Sequence, residues 1–298
     1  MAAPTILILL HERDRRAAEI GYWIWTMREV WQEMGLRVDV VRGTRRAGSA
    51  DLLFPHVDLT VTPAEYLALY DRYPRVVNRF AVDHSKRSVS ANLVRPGDAW
   101  DGRVIVKTDR NSGGLRDLQL LATYPELVCR RLRTLFGLRV AEIAGDGPID
   151  FASVRCMPPT RYPVFDSLQA VPRQVFDNPS LVVERLLTER VGELYCLRSY
   201  AFLGDRWHFQ RQLGTEPVVK ARACVADEDI ADDDGAIPMR TRLGLDYGKL
   251  DYVVRDEGRV LFDVNTTPAY SSDAPDPVLI RRSRLLAAGV RNLLEAPA

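Results

Sequence analysis

Apolar and polar residues alternate most regularly between Lys249 and Pro268, where two runs rich in valine, tyrosine, leucine and phenylalanine flank Asp256-Glu257-Gly258. Period-two runs on both sides of a loop that ends in glycine predict a β-hairpin, because glycine takes positive φ at no steric cost. A three-residue loop then sets the register of the two strands. The predicted opposing pairs are Asp251 with Asp263, Lys249 with Asn265, Val253 with Leu261 and Arg255 with Arg259.

The two faces of this predicted hairpin differ in character. One face is wholly apolar and is predicted to be core: Leu250, Tyr252, Val254, Val260, Phe262 and Val264. On the other face, opposed Cβ atoms lie about 5 Å apart, and two carboxylates at that distance repel unless a cation neutralises them. Carboxylate and amide oxygens suit Mg²⁺, which predicts Asp251, Asp263 and Asn265 as metal ligands beside Lys249 as a phosphate contact. A face of merely solvated charges is the alternative.

The first eighty residues alternate between strand-like and helix-like patterns. Strands are predicted at residues 5–10, 36–41, 51–59 and 75–78, and helices at residues 15–34 and 63–70. Such alternation predicts a parallel sheet with helices on its faces. Tyr22, Trp23, Trp25 and Trp31 fall in the first predicted helix, where packing in a core explains them best.

Composition narrows the range of functions. Apolar residues at 46% and charged residues at 27% are typical of a globular protein, and a formal net charge of +1 gives no support for nucleic-acid or membrane-surface binding. The four cysteines are scattered without a CxxC motif, which favours reduced thiols and a cytoplasmic location. The opening apolar run is too short for a signal peptide or a membrane span.

Lysine is rare in this chain, because only Lys86, Lys107, Lys220 and Lys249 occur among the 41 basic residues. A lysine kept in an arginine-rich chain is expected to serve as a compact charge, for example at a phosphate. Lys107 ends a short β-rich run and precedes a loop with Gly113 and Gly114, in which backbone N–H groups can approach an anion. An ordinary β-turn has the same appearance.

The hairpin motif resembles the metal-binding end of the ATP-grasp superfamily. That motif has an aspartate, an acidic residue twelve positions later, an asparagine two positions further, and then small residues and a proline. Asp251, Asp263, Asn265 and Pro268 hold these places. Asp263 stands where the family more often has glutamate, which keeps the carboxylate.

The same superfamily carries two lysines that contact the nucleotide phosphates. Lys86 and Lys107 match their positions, although Thr108 replaces the usual proline and two residues are inserted before Lys86. The resemblance also implies an adenine-binding hinge formed by backbone groups of Glu184, Arg185, Leu186 and Leu187. The resemblance also implies that Glu193 accepts hydrogen bonds from the ribose hydroxyls, and Glu189 is the alternative residue for this role.

Basic residues on the neighbouring strand-like segments complete the implied site. In ATP-grasp enzymes such residues neutralise the transferred phosphate or hold an acyl phosphate, and the positions that match here are Arg198, Arg211 and Lys220, with Arg222 nearby. Solvated strand faces are the alternative for about half of them. Substrate selection is expected from the N-terminal segment, with His11, Tyr22 and Asn78 as candidates.

The resemblance implies an α/β (α+β) protein with the ATP-grasp fold and an N-terminal parallel α/β domain. The implied domains are residues 1–82, the pre-ATP-grasp domain; 83–182, the lid subdomain; and 183–298, the subdomain with the hinge and metal site. The implied lid includes a helix around residues 127–136 with Arg130, Arg131 and Arg133 on a solvated face. An exposed acidic loop is expected at 227–234, and an amphipathic helix at 277–294.

The implied activity is that of an ATP- and Mg²⁺-dependent ligase. It would join a small-molecule carboxylate to an amine through an acyl phosphate, with release of ADP and phosphate. The alternatives are a kinase that phosphorylates a hydroxyl or carboxyl group, and a nucleotide-binding protein without catalysis. Neither a nucleic acid nor a membrane is expected as a partner, and a homodimer is left open.

Overall fold

The computed structural model describes residues 3–122, 125–126, 143–145, 147–220, 223–270 and 277–296. The chain divides into two compact units, of which one combines residues 1–82 with 188–298 and the other comprises residues 83–187. The helix predicted near 127–136 with its three arginines, and Arg222, lie outside the described residues. Within the described ranges, every helix is too short or too polar to cross a membrane.

The N-terminal part of the first unit contains the predicted parallel sheet. Its three strands pair in parallel, and the first strand along the chain lies between the other two. The strands are β1 (Thr5–Leu10), β2 (Arg37–Arg42) and β3 (Leu52–His56), and the helices are α1 (Trp23–Glu33) and α2 (Ala64–Leu67). β1 is almost entirely buried, as expected for the central strand of a covered parallel sheet.

Two details of this segment differ from the sequence prediction. The first helix begins at Trp23 rather than near residue 15, because Tyr22 is extended and forms an isolated antiparallel bridge with Ala269. The strand predicted at residues 75–78 is reduced to one parallel bridge between Leu53 and Val76. Asn78 ends it with a left-handed φ of 57°, a conformation that asparagine tolerates better than most residues.

The second unit is built on a small antiparallel sheet of three strands, in which the first strand along the chain lies between the other two. Its strands are β4 (Val104–Thr108), β5 (Val164–Phe165) and β6 (Leu181–Arg185), and its helices are α3 (Lys86–Val89), α4 (Leu115–Leu121) and α5 (Arg173–Asp177). A core of apolar residues lies on this sheet and includes Val104, Val106, Met157, Val175, Leu181 and Val183.

The remainder of the first unit forms a six-stranded antiparallel sheet. Five strands follow the order β10-β9-β8-β11-β12, and β7 pairs with β8. The strands are β7 (Glu189–Val191), β8 (Leu194–Leu203), β9 (Arg206–Gly214), β10 (Ala226–Ile230), β11 (Tyr247–Arg255) and β12 (Gly258–Asn265). The helices are α6 (Ile237–Leu243), α7 (Pro277–Ala287) and α8 (Val290–Glu295).

The acidic segment predicted as an exposed loop is mostly an edge strand. β10 pairs with β9, and its aspartates are neutralised by arginines from α7. Arg282 contacts Asp227 at 2.8 Å and Asp229 at 2.7 Å. Asp233 is buried, and it accepts hydrogen bonds from Arg259 and from the hydroxyl of Tyr252. Charge pairing therefore allows a segment of low strand propensity to extend the sheet.

The predicted C-terminal helix is interrupted by Gly289 between α7 and α8. A Cβ on Gly289 would lie 1.8 Å from the carbonyl oxygen of Leu203, and a Cβ on Gly204 would lie 2.3 Å from the carbonyl oxygen of Gly289. The two glycines thus allow the break in the helix to pack directly against the β8–β9 turn.

The core of the first unit joins both of its sheets. Trp31 of α1 lies 5.6 Å from Phe54 of β3, and Phe54 lies 5.0 Å from Tyr247 of β11, measured between ring centroids. Trp23 and Trp31 are buried, which agrees with the predicted packing role of the tryptophans. The face of β11 that carries Tyr247 becomes polar two residues further along the strand, at Lys249.

Candidate functional site

The hairpin of β11 and β12 brings the predicted metal ligands together. Asp251 is the Cα partner of Asp263, and Lys249 is the Cα partner of Asn265, as the sequence predicted. The register shifts by one residue immediately after Asp251, so that Tyr252 pairs with Leu261. The shift marks a β-bulge at Phe262, the unpaired residue next to Asp263.

The bulge corrects part of the predicted hairpin. Val253 pairs with Val260 instead of Leu261, and Arg255 pairs with Gly258 instead of Arg259. Val253 and Leu261 are buried, whereas Val254, Val260 and Phe262 of the predicted core face are only half-buried. In β12, the extra residue exchanges the inward and outward positions on the turn side of the bulge, which turns Leu261 inward and Val260 outward.

The polar face of the hairpin continues across the sheet as two rows of opposed residues. One row runs through five strands and contains Asp229, Gln210, Ser199, Asp251 and Asp263. The second row runs through four strands and contains His208, Ala201, Lys249 and Asn265. Directly opposed residues point to the same side of a sheet, so these nine residues share one face.

Contacts within this face hold Asp251 in place. The Lys249 ammonium lies 3.0 Å from Asp251 Oδ1, and both side chains are about four-fifths buried. The hydroxyl of Ser199 donates to the same oxygen at 2.5 Å. A lysine and a hydroxyl donor thus hold this carboxylate in one orientation beside its opposed partner, Asp263.

Asn265 is tied to the parallel sheet through a chain of hydrogen bonds. Its Oδ1 accepts from the backbone N–H of Thr267 at 2.9 Å, and the Thr267 hydroxyl donates to Asp58 at 2.7 Å. Asp58 also accepts from the hydroxyl of Tyr22 at 2.5 Å. The asparagine is therefore positioned by residues that follow β3 and precede α1.

The donor set of this face fits Mg²⁺ better than a softer metal. Asp251, Asp263 and Asn265 offer two carboxylates and an amide oxygen, which are the hard ligands that Mg²⁺ prefers. Among the residues that the structure describes, no group of three or more histidine, cysteine or acidic side chains is arranged to hold a metal. Two carboxylates are sufficient for Mg²⁺, which usually keeps water and substrate phosphates as its other ligands.

The two predicted catalytic arginines lie on the opposite face of the sheet. Arg198 and Arg211 are opposed across β8 and β9, and each is adjacent along its strand to a residue of the five-residue row. Arg198 makes a bidentate contact with Glu189, and Arg211 contacts Glu228 at 2.7 Å. Because successive strand residues point to opposite faces, we assign neither arginine to the Asp251–Asp263 site. Lys220 follows β9 in a segment without regular structure.

In the second unit, Lys107 forms a buried ion pair with Glu184. The ammonium lies 2.6 Å from Glu184 Oε2, and the glutamate side chain is fully buried. The hydroxyl of Ser90 donates to the other carboxylate oxygen at 2.9 Å. The Glu184 side chain thus holds the ammonium group of Lys107, whereas the resemblance implies a role only for its backbone. Lys86 is buried at the start of α3, and its backbone N–H donates to Asp109.

The glycine loop after β4 is shaped by packing against the chain near Met157. Gly113 and Gly114 have φ angles of 69° and 73°, which disfavour any side chain. A Cβ on Gly113 would lie 2.3 Å from the carbonyl oxygen of Met157, while its own carbonyl accepts from the Met157 N–H at 3.0 Å. These backbone angles and contacts explain why glycine occupies both positions. The explanation does not depend on whether the loop binds an anion.

The implied hinge and ribose residues have other contacts. The backbone N–H groups of Arg185, Leu186 and Leu187 are already hydrogen-bonded within the protein. Their acceptors are the carbonyls of Asn92, Arg103 and Arg185, respectively. Glu193 is exposed in the turn between β7 and β8. Glu189, its rival, is engaged by Arg198 and by the backbone N–H of Val254.

Sequence reasoning missed Ser199, His208 and Gln210 as members of the polar face. The signal was present, because His208, Gln210 and Gln212 alternate with Phe209 and Arg211 along β9. Period-two spacing places the three polar residues on one side of the strand, and all three are buried. Their proximity to Asp251 required the pairing of β8 with both β9 and β11.

Comparisons with known proteins concern the fold. No protein-family model and no curated protein matches this sequence. The chain is similar to the D-alanine–D-alanine ligase from Bacillus anthracis complexed with ATP, with 10% identity, 99% of this chain and 96% of that chain covered, and a TM-score of 0.45.

Two other similar structures come from different bacteria. A RimK domain ATP-grasp protein from Sphaerobacter thermophilus has 13% identity, coverage of 97% of this chain and 99% of that chain, and a TM-score of 0.46. The macrocyclase MdnC from Microcystis aeruginosa, bound with the precursor peptide MdnA, has 12% identity, coverage of 96% and 99%, and a TM-score of 0.45. The mixed helix and strand content of the described residues, with one parallel and two antiparallel sheets, confirms the predicted α+β class.

Proposed function

We propose that this chain is an ATP-grasp ligase that uses Mg²⁺ and ATP to join a small-molecule carboxylate to an amine. The observation that carries the proposal is the opposition of Asp251 to Asp263, with Lys249 and Asn265 as the adjacent pair on the same face. These residues match the metal-binding motif of the superfamily in identity and spacing. A chance cluster of solvated charges would need neither the Ser199 contact nor the burial of Lys249 and Asp251.

In this proposal Asp251, Asp263 and Asn265 hold Mg²⁺. The bound ion would neutralise charge on the phosphates of ATP and on the phosphoryl group in transfer. Ser199 keeps Asp251 in one orientation, and Thr267 does the same for Asn265. Fixed ligands lower the cost of reorganisation when charge moves, which is the main contribution that a protein makes to phosphoryl transfer.

Lysines supply the remaining positive charge. Lys249 lies in the metal-binding face, and Lys86 and Lys107 occupy the positions of the two phosphate-contacting lysines of the superfamily. An ammonium group carries three N–H donors, so the contact of Lys107 with Glu184 is compatible with a phosphate contact. The fully buried carboxylate would fix the direction in which that ammonium group points.

The reaction class follows the superfamily resemblance. A substrate carboxylate oxygen would attack the γ-phosphorus of ATP, which breaks the bond to ADP and yields an acyl phosphate. The amine nitrogen would then attack the acyl carbon, phosphate would leave, and the nitrogen would lose a proton.

The direct test is ADP release from ATP in the presence of paired carboxylate and amine substrates, with products identified by mass spectrometry. The proposal predicts a condensed product formed in equal amount with ADP and phosphate, only when Mg²⁺ is present. Asp263→Asn should lower this turnover about 100-fold or more. Asp256→Asn, in the exposed turn of the same hairpin, is the matched control and should retain full activity.

The product also distinguishes the alternatives. A phosphorylated carboxylate or alcohol without any condensed species would indicate a kinase and contradict the ligase. Unchanged turnover in Asp263→Asn would contradict the assignment of the metal site.

A further inference from the structure

Three buried side chains near the polar face have unused hydrogen-bonding capacity. In the part of the chain that the structure describes, Trp23 Nε1, both ring nitrogens of His208 and Oε1 of Gln210 have no hydrogen-bond partner within the protein. The exposed fractions of the three residues are 6%, 8% and 4%. Buried polar groups in native proteins are nearly always satisfied by protein, water or ligand. Water or a ligand is therefore expected as the partner of these atoms.

The three residues are neighbours within one unit. The rings of Trp23 and His208 lie 6.3 Å apart, measured between centroids. His208 and Gln210 are two residues apart on β9 and share the face that carries Asp251. α7 packs over this part of β9, and α1 packs against α7, so Trp23 approaches His208 from the neighbouring helix.

The same residues adjoin the proposed metal site. Gln210 is the Cα partner of Ser199, whose hydroxyl donates to Asp251. His208 is separated from Lys249 only by Ala201, which has a single methyl group as its side chain. Cross-strand spacing of about 4.8 Å places β9 roughly 10 Å from β11. That distance suits one small substrate reaching from the metal site to His208.

Charge around this cluster is balanced. Arg282 is buried and pairs with Asp227 and Asp229, and Arg281 pairs with Asp229 as well. Burial, followed by the nearby Arg282, lowers the pKa of His208 to about 4, so its imidazole is neutral at pH 7. A neutral imidazole offers one donor and one acceptor. The indole N–H of Trp23 adds a donor, and the amide oxygen of Gln210 adds an acceptor. The three side chains together are complementary to an uncharged group that both donates and accepts hydrogen bonds.

We propose that Trp23, His208 and Gln210 line a subsite for an uncharged amide or hydroxyl group of the small-molecule substrate. The inference rests on the proposed function of the Asp251–Asp263 face, because that face determines where the reacting end of the substrate lies. The subsite binds a part of the substrate that takes no part in bond formation. It therefore governs which substrate is accepted rather than the chemistry of the transfer.

The test uses the full chain labelled with ¹⁵N in tryptophan and histidine, without ATP. Acetamide, acetate and methylammonium are titrated separately, because they are similar in size and differ in charge. The Trp23 and His208 signals are identified through Trp23→Phe and His208→Leu. We expect saturable shifts of both signals with acetamide, with a Kd of about millimolar magnitude, and at least about tenfold weaker binding of the two ions.

Variants at two glutamines of β9 provide the control. Gln210→Met keeps the size of the side chain and removes the unpaired amide oxygen, and it should weaken acetamide binding by about tenfold or more. Gln212→Met alters a glutamine on the same face whose side chain already donates to Asp227, and it should leave acetamide binding unchanged. Far-UV circular dichroism checks that both variants fold.

Three results would overturn the subsite. These are the absence of a saturable shift with acetamide, an equal response to acetate, and undiminished binding in a folded Gln210→Met protein. Because the titration contains no nucleotide, its failure is distinct from a failure of Mg²⁺–ATP binding, which would instead remove the proposed function.

Discussion

Asp251 and Asp263 are directly opposed across β11 and β12, and the strands change register immediately beyond them. The bulge at Phe262 separates the register of the polar end of the hairpin from the register nearer the turn. Lys249, at 3.0 Å, and Ser199, at 2.5 Å, both contact Oδ1 of Asp251. Two carboxylates kept close together in partly buried positions repel each other, and a bound cation relieves that repulsion.

The first prediction concerns the buried pair of Lys107 and Glu184. Lys107→Met should weaken ATP binding, because it removes a charged phosphate donor. It should also destabilise the protein by about 3–5 kcal/mol, because it leaves a fully buried carboxylate without its cation. Urea unfolding and calorimetric ATP titration measure the two effects.

Adding Glu184→Gln to this variant separates the two effects. The double variant removes both charges, so most of the lost stability should return while ATP binding stays weak. Recovery of ATP binding in the double variant would mean that Lys107 acts only through the stability of the second unit.

A second prediction distinguishes the two arginines on the opposite face of the sheet. Arg211→Ala should cost about 1 kcal/mol or less, because its pair with Glu228 is partly exposed. Arg198→Ala should cost about 3 kcal/mol, because the Glu189 side chain is only 9% exposed and would lose a bidentate partner.

Neither arginine variant should lower kcat for ATP turnover by more than about twofold, because neither side chain lies on the Asp251–Asp263 face. Unfolding curves and steady-state rates for the two variants give the comparison. A hundredfold loss of kcat in folded Arg211→Ala would restore that residue to the catalytic site and contradict the face assignment.

The third prediction is a pH dependence of stability that originates at His208. Its pKa is lowered to about 4 in the folded protein, by burial first and then by Arg282, against about 6.5 when unfolded. Between these values the unfolded chain binds more protons, so stability rises with pH and the full contribution is present above about pH 6.5. The contribution is on the order of 3 kcal/mol and is lost as pH falls toward 4.

Replacing the imidazole tests this origin. His208→Asn should flatten the pH dependence of urea unfolding between pH 4 and 6.5, although Asp227, Asp229, Arg282 and Lys249 still surround the site. Gln212→Met removes no titrating group and should retain the slope. An unchanged slope in His208→Asn would assign the effect to the surrounding carboxylates.

Much of the hairpin could be predicted from the sequence because its period-two pattern is local. The pairs Asp251–Asp263 and Lys249–Asn265 were predicted correctly, whereas the pairs nearer the turn were not. The pattern predicts a three-residue loop, but Gly258 already belongs to β12 and a bulge at Phe262 compensates. A two-residue turn combined with a bulge pairs Asp251 with Asp263 just as a three-residue turn without a bulge would. The sequence pattern therefore does not distinguish the two arrangements.

Features that depend on distant partners could not be predicted in the same way. The segment from Asp227 to Ile230 became a strand through pairing with β9 and charge neutralisation by Arg281 and Arg282, which lie about fifty residues away in the sequence. The face on which Arg198 and Arg211 lie follows from the alignment of β8 with β11. The identity and spacing of residues in the sequence indicate the candidate ligands. The pairing of strands determines which of these residues share a face.

The central claim is tested most directly by calorimetric titration with a non-hydrolysable ATP analogue, with and without Mg²⁺. Wild type, Asp251→Asn and the turn variant Asp256→Asn are compared. We predict Mg²⁺-dependent binding in wild type and Asp256→Asn, and a loss of at least about tenfold in Asp251→Asn. Binding that is equal in all three proteins, or independent of Mg²⁺, would contradict a metal–nucleotide site on the Asp251–Asp263 face.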